Sequence, residues 1–435
     1  MNPLAIALNK QLEEDNPAAL ELLSRLGKNL YFPKGILTQS AEAKTKAHKF
    51  NATIGIATEK GEPMYLPCIH QHLSAFKPAD LYSYAPPAGK PELRKLWREK
   101  MLRDNPSLEG KHFGTPIVTS ALTHGLSIVA DLFVDKGDQV VMADMMWGNY
   151  NLTFGVRREG DIRKYQTFTD TGSYNVEAFR QVLQDVSQNK GKAVVVLNFP
   201  NNPSGYTPSV EEGDAIVEVL RQEAEKGCNI VVITDDAYFG LFYRECLKES
   251  LFGRLVDLHP RILAVKVDGS TKEDFVWGFR TGFVTFGGGG ATPESNLLNV
   301  FETKTLGIIR GTISNCAHPS QTFIIEGLKS PEYAAQKRQK FEIMKGRALK
   351  TREILDSGAY DDAWQIYPFN SGYFMCLKLK TVDAEELRVH LLDKYGIGTI
   401  AINQTDLRIA FSCIEEGDLP ELFRLIYQGV QDLSR

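Results

Sequence analysis

Lys272 and Arg280 stand eight residues apart, just past a short apolar run, and both side chains are suited to chemistry. The run 262–267 (ILAVKV) is rich in β-branched residues and reads as a buried strand. Asp268, Gly269, Ser270 and Thr271 end it as a turn. In an open α/β sheet, ligands sit just beyond the carboxyl ends of strands. A lysine there can form a Schiff base with a carbonyl cofactor, and an arginine can hold a phosphate with its planar fork of donors. On a plain surface loop the same two residues would do nothing. Asp235 and Asp236 close another apolar run, 229–234, with Tyr238 soon after. A carboxylate in that place caps a helix or holds a protonated ring nitrogen.

Other strand ends carry similar residues. SALTHGL (120–126) opens a helix with small and hydroxyl residues, either an ordinary cap or a phosphate cradle of free amides. MMWGNY (145–150) sets Trp147 at a sheet edge, where an indole stacks on a flat ring or fills the core. LNFPNNPSG (197–205) is an asparagine-rich turn too specific for generic loop.

The elements that must position these residues follow a βα rhythm. Apolar runs occur at 116–119, 139–143, 193–197, 229–234, 262–267 and 283–286, with helical patterns at 122–133, 176–189 and 209–226 between them. This predicts an α/β fold, a mostly parallel sheet with helices on both faces. After about residue 325 a long charged helix, a strand, a helix near 384–394, the strand LRIAFS and a terminal helix predict a smaller α+β domain. The expected division is a segment 1–60 packing with the small domain, a large domain 61–325 and the small domain 326–435. A helix starting at Asn16 and Pro17, with Leu22, Leu23 and Leu26 on an apolar face, is expected to break at Gly27 and at Pro33–Gly35. A further helix starts near 91, and GGGG (287–290) reads as a turn.

The composition is that of an ordinary globular protein: 435 residues, 43% apolar, 24% charged, net charge −4 and no basic tail, which argues against nucleic-acid binding. No apolar run approaches the roughly 20 residues that span a bilayer. The N-terminus is too polar for a signal peptide, and six scattered cysteines show no metal-ligand spacing. A cytoplasmic location, free thiols and no bound metal are expected.

Taken together these segments resemble a fold-type I pyridoxal-phosphate aminotransferase of class I, closest to the aspartate and aromatic aminotransferases. SALTHG, MMWGNY, NFPNNPSG, TDDAY, STKEDFVWGFRTG (270–282) and LRIAFS (407–412) match the family's motifs in the family's order. The resemblance implies pyridoxal 5'-phosphate as cofactor, with Lys272 as the Schiff-base lysine and proton shuttle. It implies that Asp235, in preference to Asp236, pairs with the pyridinium nitrogen, that Tyr238 and Asn202 bond the ring's phenolate oxygen, and that Trp147 stacks on the ring. Arg280 and the amides of Ser120, Ala121, Leu122 and Thr123 would hold the phosphate, and Arg408 the substrate's α-carboxylate. Gly55 would bring backbone close to substrate. Two positions depart from the pattern: Gly269 stands where serine is common, with Ser270 one step later, and Ala121 replaces a glycine. Lys266 is a rival lysine inside the strand, at the wrong spacing to an arginine.

Two further matches imply a homodimer with shared active sites. Tyr84, in YAPPAG, matches a tyrosine that reaches the neighbouring subunit's cofactor phosphate. IIRGTISN (308–315) resembles a segment whose arginine and serine, here Arg310 and Ser314, reach across to a dicarboxylic substrate and the partner's phosphate; otherwise Arg310 anchors an interface or a loop. The implied reaction moves an amino group from aspartate or glutamate, with aromatic amino acids as further donors, to a 2-oxo acid. The alternatives are a lyase on the same cofactor and a non-catalytic sensor, for which residues 1–50 offer no basic DNA-binding extension.

Overall fold

The structure, a computed structural model, describes residues 1–31 and 35–434. Its centre is a sheet of seven strands: β1 (Ile117–Ser120), β2 (Gln139–Ala143), β3 (Asp161–Tyr165), β4 (Lys192–Asn198), β5 (Asn229–Asp235), β6 (Ile262–Asp268) and β7 (Thr281–Gly288). They lie side by side in the order β1-β7-β6-β5-β4-β2-β3. All neighbours run parallel except β7, which is antiparallel to β1 and β6. The predicted α/β class, with its mostly parallel sheet, is the observed one.

Helices α1 (Ala121–Phe133), α2 (Val176–Lys190) and α3 (Val210–Glu225) follow β1, β3 and β4. The last begins where Ser209 accepts from the Glu212 amide while the Glu212 side chain bonds back to the Ser209 amide. That reciprocal cap satisfies amides the first turn leaves unpaired. The sheet's inner strands are buried along nearly their whole length, which is why they read as continuous apolar runs. β3 (DIRKY) escaped the sequence reading because it is the edge strand, half-exposed and without such a run.

The antiparallel β7 sets the geometry of the Lys272 turn. Its register pairs Thr281 with Ser120 and Phe283 with Asp268, so the ends of β1 and β6 meet its start. The backbones there touch. A Cβ on Gly269 would lie 2.7 Å from the Gly282 Cα, and one on Gly282 would lie 2.7 Å from the Ala121 carbonyl carbon. Glycine at 269, where the family commonly has serine, is therefore what this close approach requires. At the other end of β7, Gly287 and Gly288 belong to the strand, and the turn predicted over 287–290 begins only at Gly289.

A second, antiparallel sheet of β8 (Trp364–Ile366), β9 (Met375–Leu379), β10 (Ile400–Ala401) and β11 (Asp406–Ile409) lies in the order β8-β9-β11-β10. Two more helices matter below: α4 (Leu297–Thr312) and the long α5 (Tyr333–Asp356) that leads into this sheet. The N-terminal segment attaches to the same region. Phe50 and Asn51 pair in parallel with Ile397 and Gly398, and the Gln39 amide bonds the backbone of Ala401.

Ahead of that, the expected single helix from residue 17 is two, Pro17–Leu22 and Arg25–Asn29, preceded by an unforeseen helix Pro3–Asp15. Ser24 divides the pair: its side chain accepts from the Gly27 amide and restarts the helix. The expected apolar face is not buried, since Leu22 is 87% exposed. Residues 32–34, including Pro33 of the expected break, lie outside the described residues. All six cysteines are free thiols, five of them buried. Among the described residues no helix is long and apolar enough to cross a membrane, and no cluster of potential metal ligands occurs.

Candidate active site

Beyond the carboxyl ends of β1, β4 and β5 the chain encloses a cavity of about 220 Å³. Lys272, Asp235, Tyr238 and Arg408 line it, with Asn202 and Trp147. Gly55 and Arg280 also face it, as do Ala121, Leu122 and Thr123 at the start of α1. Gly55 and Arg408, 353 positions apart in sequence, thus meet in one hollow. Ser120, Ser270, Tyr84 and Arg310 do not line it. Ser270 is fully buried, with its hydroxyl directed to the Thr281 carbonyl at 3.5 Å, and its neighbour Thr271 faces the cavity instead. Tyr84 is 88% exposed. Arg310 is exposed at the end of α4, donating to the Ser314 hydroxyl at 2.5 Å.

Strand alternation separates the two aspartates. Asp235 ends β5 and points into the cavity, so Asp236 must point to the opposite face. There Asp236 forms a buried ion pair with Lys266, which also lies 3.3 Å from Asp268. Trp97 donates to Asp268 at 3.1 Å and completes the cluster. Lys266 is 1% exposed and fully committed to these partners. It is a structural lysine.

Lys272 differs. Half-buried, its side chain makes no hydrogen bond or ion pair among the described residues, and its Nζ stands 5.0 Å above the Tyr238 ring. Burial pulls its ammonium down to about 8, with Asp235 opposing and Arg280 reinforcing the shift. Asp235 accepts from the Tyr150 hydroxyl at 2.6 Å and from the Ala237 amide at 3.2 Å. Burial nevertheless pushes its carboxyl up to about 6, against the Tyr150 hydrogen bond and Lys272. Arg408, 2% exposed, donates to the Asn202 side-chain oxygen at 3.1 Å and to the Thr53 carbonyl at 2.8 Å. Its guanidinium lies 4.1 Å over the Phe374 ring, and its Nε has no partner. Ala121, Leu122 and Thr123, which line the cavity, form the first turn of α1, where backbone amides have no intrahelical partners. Ala121 holds a left-handed φ of 61° there, the conformation that favours the glycine the family has at this position.

The aminotransferase class I and II family model matches residues 58–426, most of the chain. The chain belongs to this family. It is 26% identical over 368 residues to a probable aspartate/prephenate aminotransferase of Aquifex aeolicus, covering 80% of this chain and 84% of that protein. It is 24% identical over 257 residues to an aspartate aminotransferase of a Bacillus species, there spanning 59% of each chain. Among solved structures, an aminotransferase from Anaerococcus prevotii aligns with a TM-score of 0.82 at 21% identity, covering 94% of this chain and 98% of the other. A Thermus thermophilus aspartate aminotransferase mutant aligns with a TM-score of 0.73 at 19% identity, over 94% and 99% of the two chains. At these identities the structural likeness speaks for the fold.

In this family member, sequence reasoning missed several residues that face the cavity: Tyr150, Asn198, Thr271 and Phe374. Tyr150 carried a signal, since it stands three residues after Trp147, a spacing that places two side chains on one helical face. The chain does begin a helix there, widening into a π-helical turn over Asn151–Val156. Phe374 gave none. It precedes β9, whose pairing with β11 sets Cys376 opposite Arg408.

The perturbed lysine has a measurable consequence in ligand-free protein. Its folded value of about 8 lies below the ordinary 10.5, so between these pH values the unfolded chain binds more protons and stability rises with pH. Below pH 8 the desolvation penalty acts in full. Lys272→Met is therefore expected to stabilise the ligand-free protein at pH 7 by on the order of 1–3 kcal/mol, a gain that fades towards pH 10.5. Asp235 works with the opposite slope at lower pH: the folded state binds more protons between 3.8 and about 6, so its contribution falls with rising pH. Urea unfolding of both proteins at pH 7 and pH 10 checks the lysine. An equal difference at the two pH values would show that Lys272 is not perturbed.

Proposed function

We propose that this protein is a pyridoxal 5'-phosphate-dependent transaminase that moves an amino group from a dicarboxylic amino acid, aspartate or glutamate, to a 2-oxo acid. The observation that carries the reading is a lysine without polar partners in the same cavity as a buried aspartate and a buried arginine.

The residues present fit the cofactor. Lys272 Nζ is free to bond its carbonyl carbon, and Asp235 faces the cavity as the acceptor for a ring N–H. Trp147 supplies a flat face, and Tyr238 and Asn202 supply donors for the ring oxygen. Arg280 and the unpaired amides of α1 supply a phosphate cradle. When bound, the cofactor supplies an electron sink for the pair left when the substrate's Cα–H bond breaks.

The chain's own groups do the rest. Arg408 holds the substrate's α-carboxylate with a bidentate fork, and its orphaned Nε is the donor such a ligand would satisfy. Lys272 Nζ, when not bonded to the cofactor, would be the base that takes the substrate's Cα proton. A value near 8 suits that role, because general bases work best close to the operating pH. Tyr150 holds the Asp235 carboxylate in place and supports its charged form.

Tyr84 and Arg310 serve a neighbouring copy in this reading. Both side chains are exposed and stand outside their own chain's cavity, which is where residues lent to a partner must be. The active species is then a homodimer, built on a large domain 61–325 and a small domain 326–435 to which residues 1–60 attach. Arg310 would face the distal carboxylate of the substrate. An uncharged donor would leave that guanidinium unpaired in a closed site, so discrimination is strong. Assayed with a panel of amino acids and 2-oxoglutarate, the protein is expected to prefer aspartate or glutamate. Arg310→Leu should cut kcat/KM for aspartate by roughly 10²–10⁴-fold and leave alanine or phenylalanine nearly unchanged. Equal losses on charged and uncharged donors would make Arg310 structural.

A further inference from the structure

Behind the Lys272 turn, away from the catalytic cavity, lies a second cavity of about 640 Å³. Its walls come from five places: the end of the helix Pro91–Asp104, the loop after β5, the turn just past Lys272, the end of the helix His318–Lys329 with the residues after it, and the first turns of α5. Its surface is mainly apolar and aromatic, contributed by Phe239, Leu241, Phe242, Phe275, Leu328 and Phe341. The size falls within the range of small-molecule sites, about 300–1,000 Å³.

The charges around it are unbalanced. Arg103, Lys248, Lys337 and Arg338 line it, against Asp104 and Glu273. Asp104 pairs with the buried Lys100 at 2.9 Å and with Arg103 at 3.1 Å, while Glu273 hydrogen-bonds Lys100 and lies 3.4 Å from Lys337. Lys337 is shared among Glu273, Asp274 and the Tyr333 hydroxyl at 3.3–3.4 Å, long contacts that leave room for a closer partner. Lys248 has one exposed glutamate at 3.3 Å. Arg338 has no hydrogen bond or ion pair among the described residues. The cavity thus sets an apolar floor beneath a rim on which Arg338 and Lys248 are the cations least committed to acids.

We propose that this cavity binds a small carboxylate with an aromatic or aliphatic body, the body on the phenylalanines and the carboxylate on Arg338 and Lys248. A neutral apolar molecule would leave the rim unpaired, and a multiply charged one would desolvate its charges over the phenyl floor. The site is independent of the catalytic reading, since none of its lining residues faces the catalytic cavity. It is nonetheless joined to that cavity through the chain. Glu273 in its wall directly follows Lys272, and Tyr333 of α5 donates to Asp274 at 2.5 Å.

The test is equilibrium dialysis of the full-length protein with 4-phenylbutyrate and with 4-phenylbutan-1-ol, which shares the body and lacks the charge. The acid is expected to bind saturably, and the Lys248→Glu/Arg338→Glu double variant to bind it about 10-fold or more weakly, as loss of a charge-assisted contact implies. Both residues are exposed, so the variant should fold as the parent does. The alcohol should bind more weakly than the acid and equally to parent and double variant. Ala334→Trp, which fills the cavity from its exposed rim, should remove binding of both. Acid binding that is equal in all three proteins, or no saturable binding in the millimolar range, would overturn the proposal.

Discussion

Lys272→Ala is expected to lose at least about 10⁴-fold in kcat/KM while keeping its fold. A positioned base alone contributes 10²–10⁴-fold, and loss of covalent attachment of the cofactor adds to that. The Lys272 side chain makes no hydrogen bond or ion pair among the described residues, so its removal takes away only its approach to the Tyr238 ring. Among the described residues no second lysine lines the cavity to take its place. Lys266, six residues earlier, is held by Asp236 and Asp268 on the other face of the sheet. The measurement is steady-state kinetics with circular dichroism as the control for folding. A folded variant within ten-fold of the parent would remove Lys272 from the mechanism.

The second large effect divides neighbours. Asp235→Ala should bind pyridoxal phosphate more weakly and lose rate by several orders of magnitude, because among the described residues no other carboxylate lines the cavity to hold a charged ring nitrogen. Asp236→Ala should fail differently. It strips the main partner from a buried lysine, a change that costs about 3–5 kcal/mol of stability, while leaving the cavity's groups in place. Thermal unfolding and kcat should therefore separate the two variants: Asp235→Ala near the parent's Tm with little activity, Asp236→Ala well below that Tm with substantial activity at low temperature. Matching behaviour would mean that the face assignment of the two aspartates is wrong.

The contrast shows what the sequence could and could not carry. In TDDAY, both carboxylates follow the same apolar run, and only register against a motif favours the first. The structure supplies the physical reason, a strand whose alternation sends consecutive side chains to opposite faces, with Lys266 waiting on one of them. The parallel sheet was legible because buried strands must be apolar throughout, whereas the exposed edge strand Asp161–Tyr165 left no such trace. Phe374 and Thr53, which frame Arg408, are far from it in sequence and marked by no motif; pairing of distant strands brings them there. Gly269 reads as a departure from a pattern until the approach of Gly282 shows that no side chain fits.

Lys272 is the expected point of cofactor attachment. Borohydride reduction of the protein loaded with pyridoxal phosphate, followed by peptide mapping, tests this directly. The reduced pyridoxyl group is expected on the peptide containing Lys272 and on no other, whereas an adduct on Lys266, or scattered over surface lysines, would contradict it.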